Sequence, residues 1–227
     1  MKNHRLYLIA SVTAIAVACV SAARANVIFT FTEVGSDVVM TPSGTLDTSK
    51  LLSANWPATG WQSGGWSGTG VESSDDGFDL MGSGEFLSSR NGLQNRFRFS
   101  AGTDISAIAN PGGPFSASSY DWLVTSGTKS FVTYSGSMGG MQAGIQVVAT
   151  DIVNGLWTPD QTWINTGVSF ASLGLDVGSY SVSDALTGET ITIQVAGGAA
   201  VPDGGATLAL LGGALVGLAT FRRRFLA

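Results

Sequence analysis

Between residues 26 and 200, short runs of the chain alternate apolar and polar positions, as half-buried β-strands do. In the first run Val27, Phe29 and Phe31 alternate with residues that point the other way, which predicts a strand starting at Asn26. Clusters of Gly, Ser, Pro, Asn and Asp separate the runs, as turns separate strands. The further predicted strands cover residues 37–41, 96–100, 122–125, 129–135, 144–150, 166–170, 179–183 and 189–195.

The last two runs flank the segment 184–188, which predicts a hairpin because Gly188 accepts a positive φ. A weak helical pattern occurs only at residues 47–55, where Leu46, Leu51 and Leu52 would share a face. Many short strands with turn-rich connections predict an all-β domain folded as an antiparallel β-sandwich. A jelly-roll-like topology is one form that such a sandwich takes.

The N-terminus has the pattern of a secretory signal peptide. Lys2 and Arg5 are followed by an uncharged apolar run at 6–20, predicted to be helical, and Ala23-Arg24-Ala25 supplies small residues for signal peptidase. Cleavage there removes residues 1–25 and leaves Asn26 as the mature N-terminus. Cys19 follows small residues, as a lipidated cysteine does, and is a competing site because only one site can define the mature end.

The C-terminus predicts a transmembrane helix over residues 206–221, an uncharged run followed by Arg222, Arg223 and Arg224. The positive-inside rule holds such arginines on the cytoplasmic side, where they stop transfer. Sixteen residues span about 24 Å, less than the roughly 30 Å hydrocarbon core, and snorkelling arginines would cover the difference. The preceding Val201-Pro202-Asp203-Gly204-Gly205 suits an extended, accessible joint.

Motif, apolar helix and arginine cluster, in this order over residues 201–227, resemble the sorting domain of PEP-CTERM proteins, closest to the VPDSG-CTERM variant. The resemblance implies recognition of Val201, Pro202 and Asp203 by an exosortase, a membrane-embedded enzyme that would cut near the motif. Gly204 stands where the name of the variant has Ser. A membrane anchor that is never cut is the alternative for the same residues.

The composition of residues 26–200, about the size of one domain, excludes several kinds of chemistry. This part has five basic residues against fifteen acidic ones, a formal charge of −10, so nucleic-acid binding is not expected. His4 and Cys19 both lie in the signal peptide. The domain therefore has no disulfide, no histidine or thiolate ligand and no Ser-His-Asp or Cys-His system, and we expect no cofactor.

Three groups of residues are candidates for surface chemistry. Trp56, Trp61 and Trp66 lie among Gly and Ser, where their rings would either stack on sugars or pack back onto the domain. The acidic turn at 75–79, with Asp75, Asp76 and Asp79, would bind Ca²⁺ or be simply solvated. A glycosidase would need two carboxylates, and the glutamates of the domain are Glu33, Glu72, Glu85 and Glu189.

These observations predict a non-enzymatic structural protein of the cell surface or extracellular matrix. Its precursor is held in the inner membrane by the C-terminal helix until the exosortase acts. The alternative function is a carbohydrate-binding module that contacts exopolysaccharide through Trp56, Trp61 and Trp66.

Overall fold

The computed structural model describes residues 26–54, 68–73, 79–83, 94–109, 112–135 and 143–197, in which the chain is mostly β-strand. The predicted all-β class is confirmed. The strands are β1 (Asn26–Val34), β2 (Asp37–Gly44), β3 (Leu46–Asp47), β4 (Leu52–Ser53), β5 (Thr69–Val71), β6 (Asp79–Gly82), β7 (Gln94–Arg98), β8 (Ser119–Ser126), β9 (Phe131–Tyr134), β10 (Gly144–Val148), β11 (Ile152–Val153), β12 (Leu156–Trp157), β13 (Thr162–Asn165), β14 (Gly178–Ser183) and β15 (Thr190–Ala196). The one α-helix of these ranges is α1 (Phe170–Leu173), and 3-10 turns occupy Thr48–Lys50 and Ala149–Asp151.

Twelve of the described strands form one sheet in the order β14-β15-β1-β2-β13-β8-β5-β6-β9-β10-β7-β4, and β11, β12 and β3 form a small second sheet. Among the described pairs only β1 and β15 run parallel, with Asn26 opposite Thr190 and Thr32 opposite Ala196. The prediction of an antiparallel sheet is therefore wrong at this pair. Alternation tells which side of a strand is buried, but it does not tell which strand lies beside it.

The large sheet curls, because aromatic rings from strands far apart in its order stack on each other. Phe29 of β1 stacks on Phe131 of β9 with ring centroids 4.7 Å apart, and Phe131 stacks on Trp163 of β13 at 5.3 Å. Strands β1 and β9 are six places apart in the sheet order, which would separate them by roughly 29 Å in a flat sheet. The two sides of the sheet therefore share one core.

Two local predictions fail where side chains favour a different structure. Residues 166–170 form no strand, because Ser169 begins α1 with a capping box in which it and Ser172 bond each other's backbone N–H groups. The neighbouring strand is β13, which ends at Asn165, one residue before the predicted strand begins. At residues 47–55, a 3-10 turn at Thr48–Lys50 and strand β4 replace the weak helical pattern.

Candidate functional site

The C-terminal tail leaves the domain from β15, the last strand that the structure describes. This strand lies between β14 and β1, with six register pairs to β14 and seven to β1. The chain leaves it through Ala196 and Gly197, and only residues 198–200 separate Gly197 from the motif at Val201. A short connector therefore joins the motif to a strand that is bonded on both sides.

We call the end of the sheet at which β15 stops the exit end. Because β1 and β15 are parallel, Ala196 lies opposite Thr32, close to the turn at Gly35 and Ser36 that joins β1 to β2. Gly35 adopts a φ of +66°, a conformation that favours glycine in this turn. The exit end is thus built from β15, the β1–β2 turn and the residues that pack on them.

Two contacts hold the segments of the exit end together. The Asp37 carboxylate accepts a hydrogen bond of 3.0 Å from the backbone N–H of Gly167, which ties the connection before α1 to β2. Val177, which immediately precedes β14, packs so closely over Gly197 that a methyl group on this glycine would collide with it. Val177 is nevertheless 62% exposed, so it forms part of the surface beside the departing tail.

Glu33, one of the carboxylates considered for catalysis, takes a structural position at this end. Its Oε1 accepts a 2.7 Å hydrogen bond from the backbone N–H of Phe170, the first residue of α1. N–H groups in the first turn of a helix have no partner within the helix, so a carboxylate there satisfies one of them. Glu33 therefore fastens α1 to the end of β1.

Glu189 lies at the opposite end of β15 and is 1% exposed. Its carboxylate accepts hydrogen bonds of 2.9 Å from the Lys50 ammonium and of 2.9 Å from the backbone N–H of Asp47. Lys50 also approaches the Asp47 carboxylate at 3.3 Å. A hydrogen bond from the Ser49 hydroxyl, together with Lys50, holds the pKa of Asp47 below its usual value despite some burial.

The structure does not bring Glu33 and Glu189 together. They stand at opposite ends of the parallel pair β1 and β15, about 26 Å apart along the strands. Glycosidase carboxylates are about 5–9.5 Å apart, so these two do not form such a pair. Glu72 is buried just after β5 and donates its backbone N–H to the Leu80 carbonyl. Glu85 lies outside the described residues.

The candidate calcium site falls largely on residues that are not described. Asp75 and Asp76 lie outside the described ranges, and Asp79 is known only as the first residue of β6. Among the described residues there is no group of three or more His, Cys, Asp or Glu that could hold a metal ion.

The other predicted site residues also lie outside the described ranges. They are the signal peptide 1–25, Trp56, Trp61 and Trp66, the motif 201–205, the helix 206–221 and Arg222, Arg223 and Arg224. Within the described ranges no helix is long and apolar enough to cross a membrane.

Sequence reasoning missed Asp184, whose carboxylate organises the hairpin between β14 and β15. One oxygen accepts the backbone N–H groups of Leu186 at 2.9 Å and Thr187 at 2.8 Å, and the other accepts the N–H of Ser100. Burial raises the pKa of Asp184, but these hydrogen bonds outweigh burial and hold it below the usual value. An Asp at the start of a turn is a recognisable signal for such bonds, whereas the contact with Ser100 is not local.

Comparison with known proteins concerns only the tail. The chain carries at its C-terminus a sorting signal of the PEP-CTERM type, which indicates an exported protein sorted by an exosortase-type system from a membrane-anchored precursor. The particular signal is the VPDSG-CTERM motif, whose family model matches residues 200–225 and confirms the resemblance. No curated protein and no solved structure matches the chain.

Proposed function

We propose that the protein is a non-catalytic structural component of the cell surface or extracellular matrix, cut near its motif by an exosortase-type enzyme after export. One observation carries the proposal: the sorting signal follows the last strand of an all-β domain after a connector of only a few residues. A sorting signal so close to a folded sheet suggests that the sheet itself is the cargo delivered to the surface.

Two features support a structural rather than a catalytic role. Glu33 and Glu189 are both engaged in contacts that hold strands and α1 in place. The domain from residue 26 to residue 200 contains neither His nor Cys, the residues most often used for acid–base and nucleophilic catalysis. These two carboxylates thus serve the fold.

The packing of the domain also suits a structural component. We infer that the two sides of the curled sheet act as the layers of a sandwich, joined by Phe29, Phe131 and Trp163. Phe131 also meets Trp157 edge-on at 5.7 Å, and each such aromatic pair adds about 0.5–1.5 kcal/mol beyond the area it buries. A core of this kind supports an exported domain that has no cysteine for disulfides.

The exit end constrains how the enzyme would reach the motif. Four residues from Gly197 to Val201 reach at most about 14 Å when fully extended, so cutting must occur close to the sheet. Glu33, Asp37 and Asp176 near this end are acidic, and the chain has no Lys or Arg between Lys129 and Arg222. The stretch that leads to the motif therefore carries acidic side chains and no basic one.

Substitutions in the motif test this proposal in the native host. A Pro202→Ala, Asp203→Ala double variant should keep the protein in the membrane fraction at precursor mass, because the enzyme no longer recognises the joint. The matched control, Gly204→Ser, restores the residue in the name of the variant and should be processed at least as well as the wild type. Equal processing of the double variant and the wild type would exclude recognition through this motif.

Carbohydrate binding through Trp56, Trp61 and Trp66 is the alternative function, and it rests on the sequence alone. Its test is quenching of tryptophan fluorescence by polysaccharides. A carbohydrate-binding module should bind, and a Trp61→Ala, Trp66→Ala variant should lose that binding. Unchanged fluorescence across neutral and acidic polysaccharides would rule this function out.

A further inference from the structure

The first and last described strands are direct neighbours, and their ends lie at opposite ends of the sheet. β1 begins at Asn26, opposite Thr190, whereas β15 ends at Ala196, opposite Thr32. Seven consecutive register pairs separate these two ends without a register shift. A force applied through the C-terminal tail therefore acts on β15 at Ala196, at one end of the parallel pair. The N-terminus of β1 lies at the other end of the pair.

This arrangement determines how tension acts on the hydrogen bonds between the strands. When β1 is pulled at Asn26 and β15 at Ala196, the strands are drawn past each other along their common axis. All the inter-strand hydrogen bonds then carry load together, because parallel bonds are evenly spaced along the pair. When both strands are pulled from the same end, the bonds break one after another.

Side chains in the core resist the same sliding motion. Val27, Phe29 and Phe31 of β1 are opposite Ile191, Ile193 and Val195 of β15, and all six are at most 7% exposed. A slip of one residue would turn each buried side chain of the moving strand toward the other face of the sheet. Sliding thus breaks three buried cross-strand pairs along with the hydrogen bonds.

The far end of β15 has a fastening of its own. Glu189, one residue before β15, holds the Lys50 ammonium and the Asp47 backbone N–H. The backbone of Glu189 also accepts the N–H of Asp184, at the other side of the hairpin. Tension that enters at Ala196 is therefore opposed at the start of the strand as well as along it.

We propose that the pair β1·β15 is a mechanical clamp that lets the domain bear tension applied between its N-terminus at Asn26 and its C-terminal attachment. The clamp is a property of the sheet. Its use at the cell surface rests on the proposed function, in which the tail determines where the protein is held.

The clamp can be tested in the full precursor, made by cell-free synthesis without signal peptidase so that it keeps Cys19, its one cysteine, shortly before β1. In detergent, DNA handles attached to Cys19 and to an Ala200→Cys substitution load the pair in shear in optical tweezers. In the control, Cys19→Ser and Ser36→Cys move one handle to the exposed β1–β2 turn at the exit end. The same strands and the same hydrogen bonds are then pulled from one end.

The clamp predicts that the shear geometry ruptures at a force about twofold or more above that of the control at equal loading rate, since several hydrogen bonds share the load. Equal rupture forces, or a weaker shear geometry, would overturn the proposal. This result is independent of tail processing, so a failed clamp leaves the sorting proposal standing, and failed sorting leaves the clamp standing.

Discussion

Two regions of the large sheet achieve strand pairing in different ways. The terminal region, formed by β14, β15, β1 and β2, has strands of six to nine residues in continuous register. The glycine region, formed by β8, β5, β6, β9, β10 and β7, includes β5 of three residues and β6 of four, with register shifts at both. Long alternating strands specify the first region, and close backbone approach specifies the second.

Glycines in the second region show what close approach requires. A methyl group at Gly70 would collide with the carbonyl oxygen of Ser119, and one at Gly144 with that of Phe97. Both glycines are in strands, where the absence of a side chain usually weakens pairing. Here that absence is what lets the neighbouring strand come near. The terminal region has one such glycine, Gly44 at the end of β2 against the Asn26 carbonyl, and relies mainly on buried side chains such as Phe29 and Phe31.

The largest expected effect is at Phe131, which lies in the glycine region and stacks on Phe29 of the terminal region. Phe131→Ala should lower the free energy of unfolding by about 3–5 kcal/mol, because it leaves a cavity between the two regions. Urea unfolding followed by tryptophan fluorescence measures it. Leu123→Ala, at a side chain 62% exposed, is the control and should change stability by no more than about 0.5 kcal/mol. A loss below that of the control would refute a shared core.

A second pair of substitutions separates close approach from backbone conformation. Gly70→Ala should cost about 3 kcal/mol, because the obstructing atom is a backbone carbonyl that cannot move without β8. Gly35→Ala meets no atom within 4 Å but must hold a φ of +66°, and should cost about 1 kcal/mol. Thermal unfolding of the two variants shows which substitution costs more stability. The reverse order would contradict the proposed basis of the glycine region.

The fastening at the start of β15 is expected to have a smaller effect. Glu189→Ala removes the acceptor for Asp47 and Lys50 and should cost about 2–3 kcal/mol in chemical denaturation. Glu189→Gln keeps an oxygen of the same shape and should cost about 1 kcal/mol. If the two variants were equally stable, the hydrogen bonds of this carboxylate would not hold the strand.

The smallest effect concerns pH at the hairpin of the terminal region. Because the folded pKa of Asp184 lies below its unfolded value of about 3.9, its stabilisation is present above that value and is lost as pH falls through the folded pKa. Asp184→Asn should be about 1–2 kcal/mol less stable than the wild type at pH 7, and the gap should narrow in acid. Urea unfolding at pH 7, 4 and 2.5 measures the gap. A constant gap would show that the charge is irrelevant.

The contrast between the regions also explains what could be predicted from the sequence. The strands of the terminal region could be predicted within a few residues, because each alternates locally, and the 184–188 hairpin follows from Gly188 with its φ of +73°. Strands β5 and β6 are too short to alternate and were missed. The parallel pairing of β1 with β15 and the contact of Glu189 with Lys50, 139 residues away, depend on distant parts of the chain.

The sorting signal could be predicted from the sequence because it is linear: a short motif, an apolar run and arginines need no tertiary contact to be recognised. The roles of Glu33 and Glu189, by contrast, could not be predicted from the sequence. Their residue type alone is compatible with a catalytic role. Their positions at opposite ends of the parallel pair show that they do not form a catalytic pair with each other. The sorting signal is recognisable from consecutive residues, whereas the contacts of the two glutamates depend on the tertiary fold.

Intact mass spectrometry of the protein recovered from the native host's surface and growth medium tests the central claim most directly. The proposed function predicts a mature chain that starts at Asn26 and ends near Val201-Pro202-Asp203. A chain that still carries Phe221 to Ala227 would show a permanent membrane anchor and contradict processing by an exosortase-type enzyme.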